Sequence, residues 1–259
     1  MLKRLASLRV VKVGGNELDQ AGWLDAWARD VARTGPAVVV HGGGRAISAL
    51  SDRLGLPVAQ RDGLRITTPE VADVVEMVLA GPVSRAIVAA LGRAGALAVG
   101  LSGIDGGLFT AERFDPALGQ VGRITTVRPD VLAALLAAGF TPVVAPMAPV
   151  ATGEILNVNA DDAAAALAAA LQASELLFIS DVSGVLVDGA ASQALSVDEV
   201  EPLIARGAAD GGMAAKLRAA ASARSAGVAS VRLGSLDMLR DASAGTRLVA
   251  APLTPTLVP

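Results

Sequence analysis

AVVVHGGGRAISAL, residues 37–50, carries an apolar, β-branched run into three glycines and straight on into a helical pattern. The valines predict a buried strand ending at His41, and the helix is predicted over 44–54. A sharp strand-to-helix turn accounts for one or two glycines, but three in succession exceed what a turn requires. A helix start of this kind offers free N–H groups and the positive end of a dipole, which suits an anion. It is not the G-x-G-x-x-G dinucleotide fingerprint, because Ile47 stands where the third glycine would fall. His41, the sequence's one histidine, reads as a structural hydrogen-bonding residue.

The same strand-then-glycine grammar stands upstream in VVKVGGN, residues 10–16, where a lysine sits inside an apolar strand just ahead of Gly14 and Gly15. Lys12 could snorkel to solvent from an edge strand. The adjoining glycines favour another use, since backbone without Cβ atoms admits an anion and the ammonium supplies its countercharge. The lysine precedes the glycines, so this is not a Walker loop.

Further apolar runs recur at 97–101, 142–145, 175–180 and 228–233, with helical stretches at 22–33, 69–92, 129–138, 160–172 and 213–226. Strands apolar on both faces that alternate with helices predict a three-layer αβα sandwich around a mostly parallel central sheet. Ligands in such sheets bind at the carboxyl ends of the strands, which is where the glycines fall. A shift in composition near 173–175 divides the chain into lobes 1–173 and 174–259.

Composition narrows the function. The 259 residues contain no cysteine, which excludes disulfides, thiolate catalysis and cysteine-ligated metals and fits a reducing cytoplasm. MLKRLASLRVVKV does not form a secretory signal, because Arg9 and Lys12 interrupt its apolar run. The uncharged run 131–153 is long enough to raise the question of a membrane span, but Gly139, Pro142, Pro146 and Pro149 break it into a buried helix, a turn and a strand. No membrane partner is expected. A net charge of −3 with dispersed acids and bases gives no basic stripe, so no nucleic-acid partner is expected either.

ILNVNADD, residues 155–162, sets two asparagines and two aspartates ahead of an alanine-rich helix. Asn159 or Asp161 could cap that helix, a contribution of about 1 kcal/mol. One cap does not require four polar residues, and alternation along an extended segment puts Asn157 and Asn159 on one face. Lys216 follows Gly211 and Gly212 on another helix and, alone, reads as a solvated lysine.

In order, KVGG (12–15), HGGG (41–44), DGLR (62–65), LGQVG (118–122), NVNADD (157–162), SDVSGV (180–185), DGGMAAK (210–216) and AGTRL (244–248) resemble the amino-acid kinase family. GLR after the HGGG helix, together with NVNAD, is most similar to those members that phosphorylate N-acetyl-L-glutamate. The resemblance implies transfer of the ATP γ-phosphoryl group, with Mg²⁺, to the side-chain carboxylate of that small molecule. It implies catalytic roles for Lys12 and Lys216, with Asp161 holding both lysines. Gly43, Gly44, Arg65, Asn157 and Asn159 would bind the acid substrate. Gly14, Gly15, Asp181, Val182, Ser183, Gly184, Val185, Leu186, Ala208, Ala209 and Asp210 would line the nucleotide site, with no protein metal ligand because Mg²⁺ rides on the phosphates.

The 1–173 lobe would then carry the acid substrate and the dimer contact, and the 174–259 lobe ATP. The segment before the first strand is shorter than the extra helix of arginine-inhibited hexameric relatives, so a homodimer without strong arginine feedback is expected. On this reading Lys12→Ala has a modest effect on folding, and Asp161→Asn keeps most of a cap's stability. GLSGIDGGLF, residues 100–109, also has some likeness to kinases of carrier-protein-linked aminoadipate or glutamate. A non-catalytic nucleotide- or amino-acid-sensing module is disfavoured, because both lysines and Asp161 are present.

Overall fold

Valines at 10, 11 and 13 and at 38 to 40 fill β1 (Arg9–Val13) and β2 (Ala37–His41), which pair in parallel at the centre of the sheet with nearly every residue buried. The computed structural model describes residues 7–14, 18, 20, 22–187 and 189–250. Between and after these strands come α1 (Trp23–Arg33), α2 (Gly44–Arg53), the hairpin β3 (Gln60–Arg61) and β4 (Leu64–Arg65), α3 (Pro69–Val78) and α4 (Ser84–Arg93). The middle of the chain forms β5 (Ala98–Ser102), β6 (Phe109–Arg113), β7 (Val121–Val127), α5 (Asp130–Ala137), β8 (Thr141–Ala145), β9 (Met147–Pro149), β10 (Ile155–Val158) and α6 (Ala160–Ala170). The last part adds β11 (Glu175–Ile179), β12 (Leu186–Val187), β13 (Ala190–Ala191), β14 (Ala194–Ser196), α7 (Val200–Ala205), α8 (Gly211–Ser225), β15 (Ser230–Gly234) and β16 (Thr246–Val249).

Eight strands form one sheet in the order β14-β16-β15-β11-β1-β2-β8-β5, parallel throughout except between β15 and β16. Strand alternation sorts the side chains of β1 between two cores. Val11 and Val13 pack with Trp27, Val31, Ile87 and Leu91 under α1 and α4. Val10 packs on the other face with Leu167, Phe178 and Leu217 under α6 and α8. Lys12 shares that second face, so it points toward the start of α6.

This is the expected αβα sandwich with its mostly parallel sheet, and the 131–153 run is indeed a helix followed by buried strands. Two features depart from the sequence reading. The helix expected over 69–92 is broken by a wide turn at Leu79–Val83, where Gly81 leaves helical geometry next to Pro82. Proline lacks the N–H and its ring crowds the preceding turn, so an unbroken helix is not available there. The 69–93 segment is long and apolar enough to cross a membrane, but Val71, Val74 and Val78 sit in one core and Ile87 and Leu91 in another.

The second departure is a four-stranded sheet, β6-β7-β10-β9, lying beside the main one. Its strands escaped notice because FTAER and VGRITTV are half exposed, so they lack the continuous apolar run that betrays a strand buried on both faces. This small sheet presents β10, and with it Asn157, to the carboxyl ends of β1 and β2.

Candidate active site

A cavity of about 190 Å³ opens at the ends of β1 and β2, with Lys12, Gly43, Gly44, Arg65, Asn157, Asn159 and Asp161 in its wall. These seven expected site residues come from four separated segments, which the fold brings together. A larger cavity of about 630 Å³ adjoins it, sharing Leu64, Val121 and Asn159, but its floor is mostly alanine from α6 and α8. The smaller cavity is the chemical one, because it holds Lys12 and Arg65.

The floor follows from local sequence. Gly43 precedes α2 without any side-chain cap, and no acidic residue stands in the first turn, so the helix's amino end is left for an anion. A Cβ at Gly43 would lie 2.6 Å from Cδ2 of Leu79, so any larger residue there requires the Leu79 side chain to shift. His41 lies just beneath, fully buried, with Nδ1 donating to the Gly42 carbonyl at 3.1 Å. Burial pushes its pKa down to about 4, outweighing that hydrogen bond, so the ring is neutral near pH 7.

Asn159 settles the cap question. Its Oδ1 accepts from the N–H groups of Asp161 at 2.8 Å and Asp162 at 3.2 Å, so asparagine caps α6 and Asp161 is released for other work. Asp161 instead meets Lys12, with Nζ 2.8 Å from Oδ1 and both side chains over nine-tenths buried. The approach is an ion contact outside hydrogen-bonding alignment, since Oδ1 lacks an aligned donor. Such a pair is costly to break from either side, because the remaining charge would stay buried alone. This corrects both stability expectations, the modest folding effect at Lys12 and the cap-like one at Asp161.

Arg65 is buried, with Nη2 donating to the Gly44 carbonyl at 2.9 Å and to Oγ of Ser48 at 2.8 Å. Among the described residues, its buried Nη1 has no hydrogen-bond partner. Burial lowers its pKa, with the nearby Asp52 carboxylate acting in the opposite direction. A guanidinium remains charged through such a shift and fits a carboxylate. Asn157 donates from Nδ2 to Oγ1 of Thr67 at 3.2 Å, and Thr67 Oγ1 donates to the Arg65 carbonyl at 2.9 Å. Thr67 and Ser48 therefore orient the site. Their sequence signal was the alternation from Arg65 to Thr67 and the single helical turn from Gly44 to Ser48.

Asp162 projects into the larger cavity, ringed by protein yet reachable by solvent. Desolvation within the cleft, followed by the charge of Asp161, raises its pKa to about 6. The folded state thus binds this proton more tightly than the unfolded chain, whose aspartate titrates near 3.8. The associated stability is fully present below pH 3.8 and is lost as pH rises through about 6. Urea titrations at several pH values should show Asp162→Asn lacking that decline, and parallel pH profiles for the two proteins would reject the assignment.

The expected nucleotide residues lie on neighbouring loops. Gly14 follows β1 directly, next to Val13, whose carbonyl accepts the Gly42 N–H at 3.0 Å. Gly15 lies outside the described residues. Asp181 to Val185 leave the carboxyl end of β11, where the Val185 N–H donates to Thr246 Oγ1 at 2.8 Å, and Leu186 opens β12. Ala208, Ala209 and Asp210 lead into α8, whose Asp210 cap position makes no side-chain cap bond. Lys216 does not join Lys12. Its Nζ donates to the Gly212 carbonyl at 3.4 Å, and among the described residues Asp161 pairs with Lys12 and not with Lys216. Residues 100–109 run from the end of β5 through a turn, with Ser102 bonded to Asp105, into the first residue of β6, and contribute nothing to the 190 Å³ cavity.

The profile of the Amino acid kinase family matches residues 7–235. The chain belongs to the amino acid kinase family. Among curated members of the amino acid kinase family, it is similar to the acetylglutamate kinase of Chloroflexus aurantiacus, 46% identical over 257 residues that cover 96% of this chain and 100% of the relative. The Streptococcus mutans protein smu.665 superposes with a TM-score of 0.83 at 29% identity, covering 95% of this chain and 100% of that one. Carbamate kinase from Giardia lamblia bound to AMP-PNP shares the fold, with a TM-score of 0.72 at 18% identity and coverage of 95% and 99%.

Proposed function

We propose that this enzyme transfers the γ-phosphoryl group of ATP to the side-chain carboxylate of N-acetyl-L-glutamate, forming N-acetyl-L-glutamyl 5-phosphate for arginine biosynthesis. The observation that carries the reading is one small cavity with two separate cationic groups, Lys12 and the unpartnered Nη1 of Arg65, which suits a dicarboxylate. Near-full-length similarity to acetylglutamate kinases supports the same substrate.

The chemistry asks little of acids and bases. A glutamyl-type carboxylate with a pKa near 4.3 is protonated in only about 1 molecule in 500 at pH 7, so it attacks without a general base. A carboxylate oxygen forms the new bond to the γ-phosphorus in line with the departing bridge oxygen, and ADP leaves with that bond's electrons. What the protein must supply is positive charge and restraint of two repelling anions. Lys12 supplies charge from the sheet and is fixed by Asp161, the α2 end adds its N–H groups through Gly43 and Gly44, and Lys216 supplies charge from α8. Arg65, with Asn157 and Asn159 in the same wall, holds the α-carboxylate and amide end. Mg²⁺ enters as the complex with ATP and neutralises phosphate charge. Asp181 to Leu186, Gly14 and Ala208 to Asp210 form the nucleotide side.

Residues 1–173 serve as the acid-substrate and dimer lobe and 174–259 as the nucleotide lobe. A homodimer is favoured by β5, an edge strand of the main sheet, and by exposed Leu97 directly ahead of it. A mass of one chain or six in light scattering would reject it. The absence of cysteine suits a cytoplasmic enzyme.

Trapping the acyl phosphate as a hydroxamate tests the substrate directly. Acetylglutamate should give the hydroxamate, while turnover of a carrier-linked aminoadipate or glutamate alone would overturn the assignment. Arg65→Lys should raise KM for the acid by about 10- to 100-fold with a smaller change in kcat, because the lysine cannot form the bidentate fork. An unchanged KM in initial-rate measurements would count against that role.

A further inference from the structure

We propose that Asp62 and Gly63, at the tip of the β3–β4 hairpin, are positioning residues that set Lys216 for phosphoryl transfer when Arg65 takes the acid substrate. The inference rests on the roles given above to Arg65 and Lys216. It starts from a contact. The bare Cα of Gly63 faces the first residue of α8 so closely that a Cβ there would lie 2.9 Å from the Gly211 carbonyl oxygen and 3.1 Å from its carbon. One residue on, the Gly212 carbonyl accepts from Lys216. The tip therefore touches the turn of helix that carries the lysine.

The hairpin is built to transmit position. Asp62 and Gly63 both have left-handed backbone, with φ of 53° and 79°, which is the tight two-residue turn that matches strand twist. Gln60 pairs directly with Arg65, so the turn is only one residue pair away from the substrate-gripping guanidinium. On its outer side Arg61 is paired with Asp115. Across the gap, Arg218 is held by Glu201 at 2.8 and 3.1 Å and also feels the Asp62 carboxylate. The first turn of α8, by contrast, has no side-chain cap of its own. The hairpin tip abuts its first residue, Gly211, while the body of α8 packs mainly on α6. A ligand carboxylate on Nη1 of Arg65 would fix β4, and through the short ribbon the tip and the Gly211–Lys216 turn.

The decisive variant is Gly63→Asn. Asparagine tolerates positive φ, so the turn is kept, while its Cβ pushes against the Gly211 carbonyl. Calorimetric titration of the variant with acetylglutamate alone should give an affinity within about threefold of wild type, whereas kcat should fall at least tenfold. The factor by which acetylglutamate strengthens binding of a non-hydrolysable ATP analogue should shrink toward one, as loss of a coupling free energy requires. A near-normal kcat, or a reduced kcat with the coupling factor intact, would overturn the proposal. If Gly63→Asn does not fold, Arg218→Glu, which repels Asp62 from the exposed face of α8, is read by the same two criteria. If wild type phosphorylates a different acid, the substrate assignment fails while the hairpin test proceeds with that acid.

Discussion

Lys12→Met is expected to lower kcat by about 10²–10⁴, as for other charge-stabilising donors aimed at a transition state, and to cost about 3–5 kcal/mol of folding stability. The two losses have separate causes. The catalytic one comes from the missing ammonium beside the transferring phosphoryl group, and the structural one from Asp161, whose carboxylate would remain buried without its 2.8 Å partner. The double variant Lys12→Met, Asp161→Asn separates them. Removing both charges should recover most of the stability lost in Lys12→Met, since replacing a buried pair as a unit is far cheaper than halving it, yet kcat should stay low. Urea unfolding and steady-state rates on the three proteins make the comparison. Full stability in Lys12→Met would show that the buried pair is not what the geometry implies, and normal turnover in it would reject the catalytic role.

The second large effect lies outside the 190 Å³ cavity. Arg232→Met should destabilise the protein by about 3–5 kcal/mol. Arg232 is almost completely buried on β15, where its Nε donates to Glu175 at 2.9 Å. Its Nη1 donates to the carbonyls of Asp241 at 2.9 Å and Ala244 at 3.0 Å, and its Nη2 to that of Met238 at 3.0 Å. Glu175 in turn pairs with Arg9 at 3.0 Å, so one guanidinium ties β1, β11 and β15 to the 236–244 segment. Methionine would fill the volume but strand three carbonyls and weaken a half-buried carboxylate. Denaturant midpoints with unchanged slopes would measure the loss, and a loss below about 1 kcal/mol would contradict this account.

Arg232 also marks where sequence reading ran out. In VASVRL it looks like the end of an ordinary strand. Its acceptors are backbone carbonyls of a segment without regular apolar period, which no side-chain pattern announces. The small sheet of β6, β7, β9 and β10 was missed for a related reason, because strands with one wet face carry less signal than strands buried on both. The central strands, the glycine turns and the alanine-rich helix were legible because continuous valine runs, helix propensity and glycine clusters are local properties of the chain.

The site divides along the same line. Sequence alone determined which residue types are available: an apolar lysine strand, three glycines at a helix start, an arginine after a turn and a polar knot ahead of α6. It could not decide between Asn159 and Asp161 as the cap, since either side chain can accept an N–H from the first turn. Tertiary structure gave the cap to Asn159 and the buried ion contact to Asp161, because β1 places Lys12 on the face that α6 covers. It also placed Gly63 against Gly211, residues 148 positions apart in the chain, a proximity that only the packing of the hairpin on α8 creates. Local chemistry is written along the chain, whereas the partner of each charge is chosen by which faces the fold brings together.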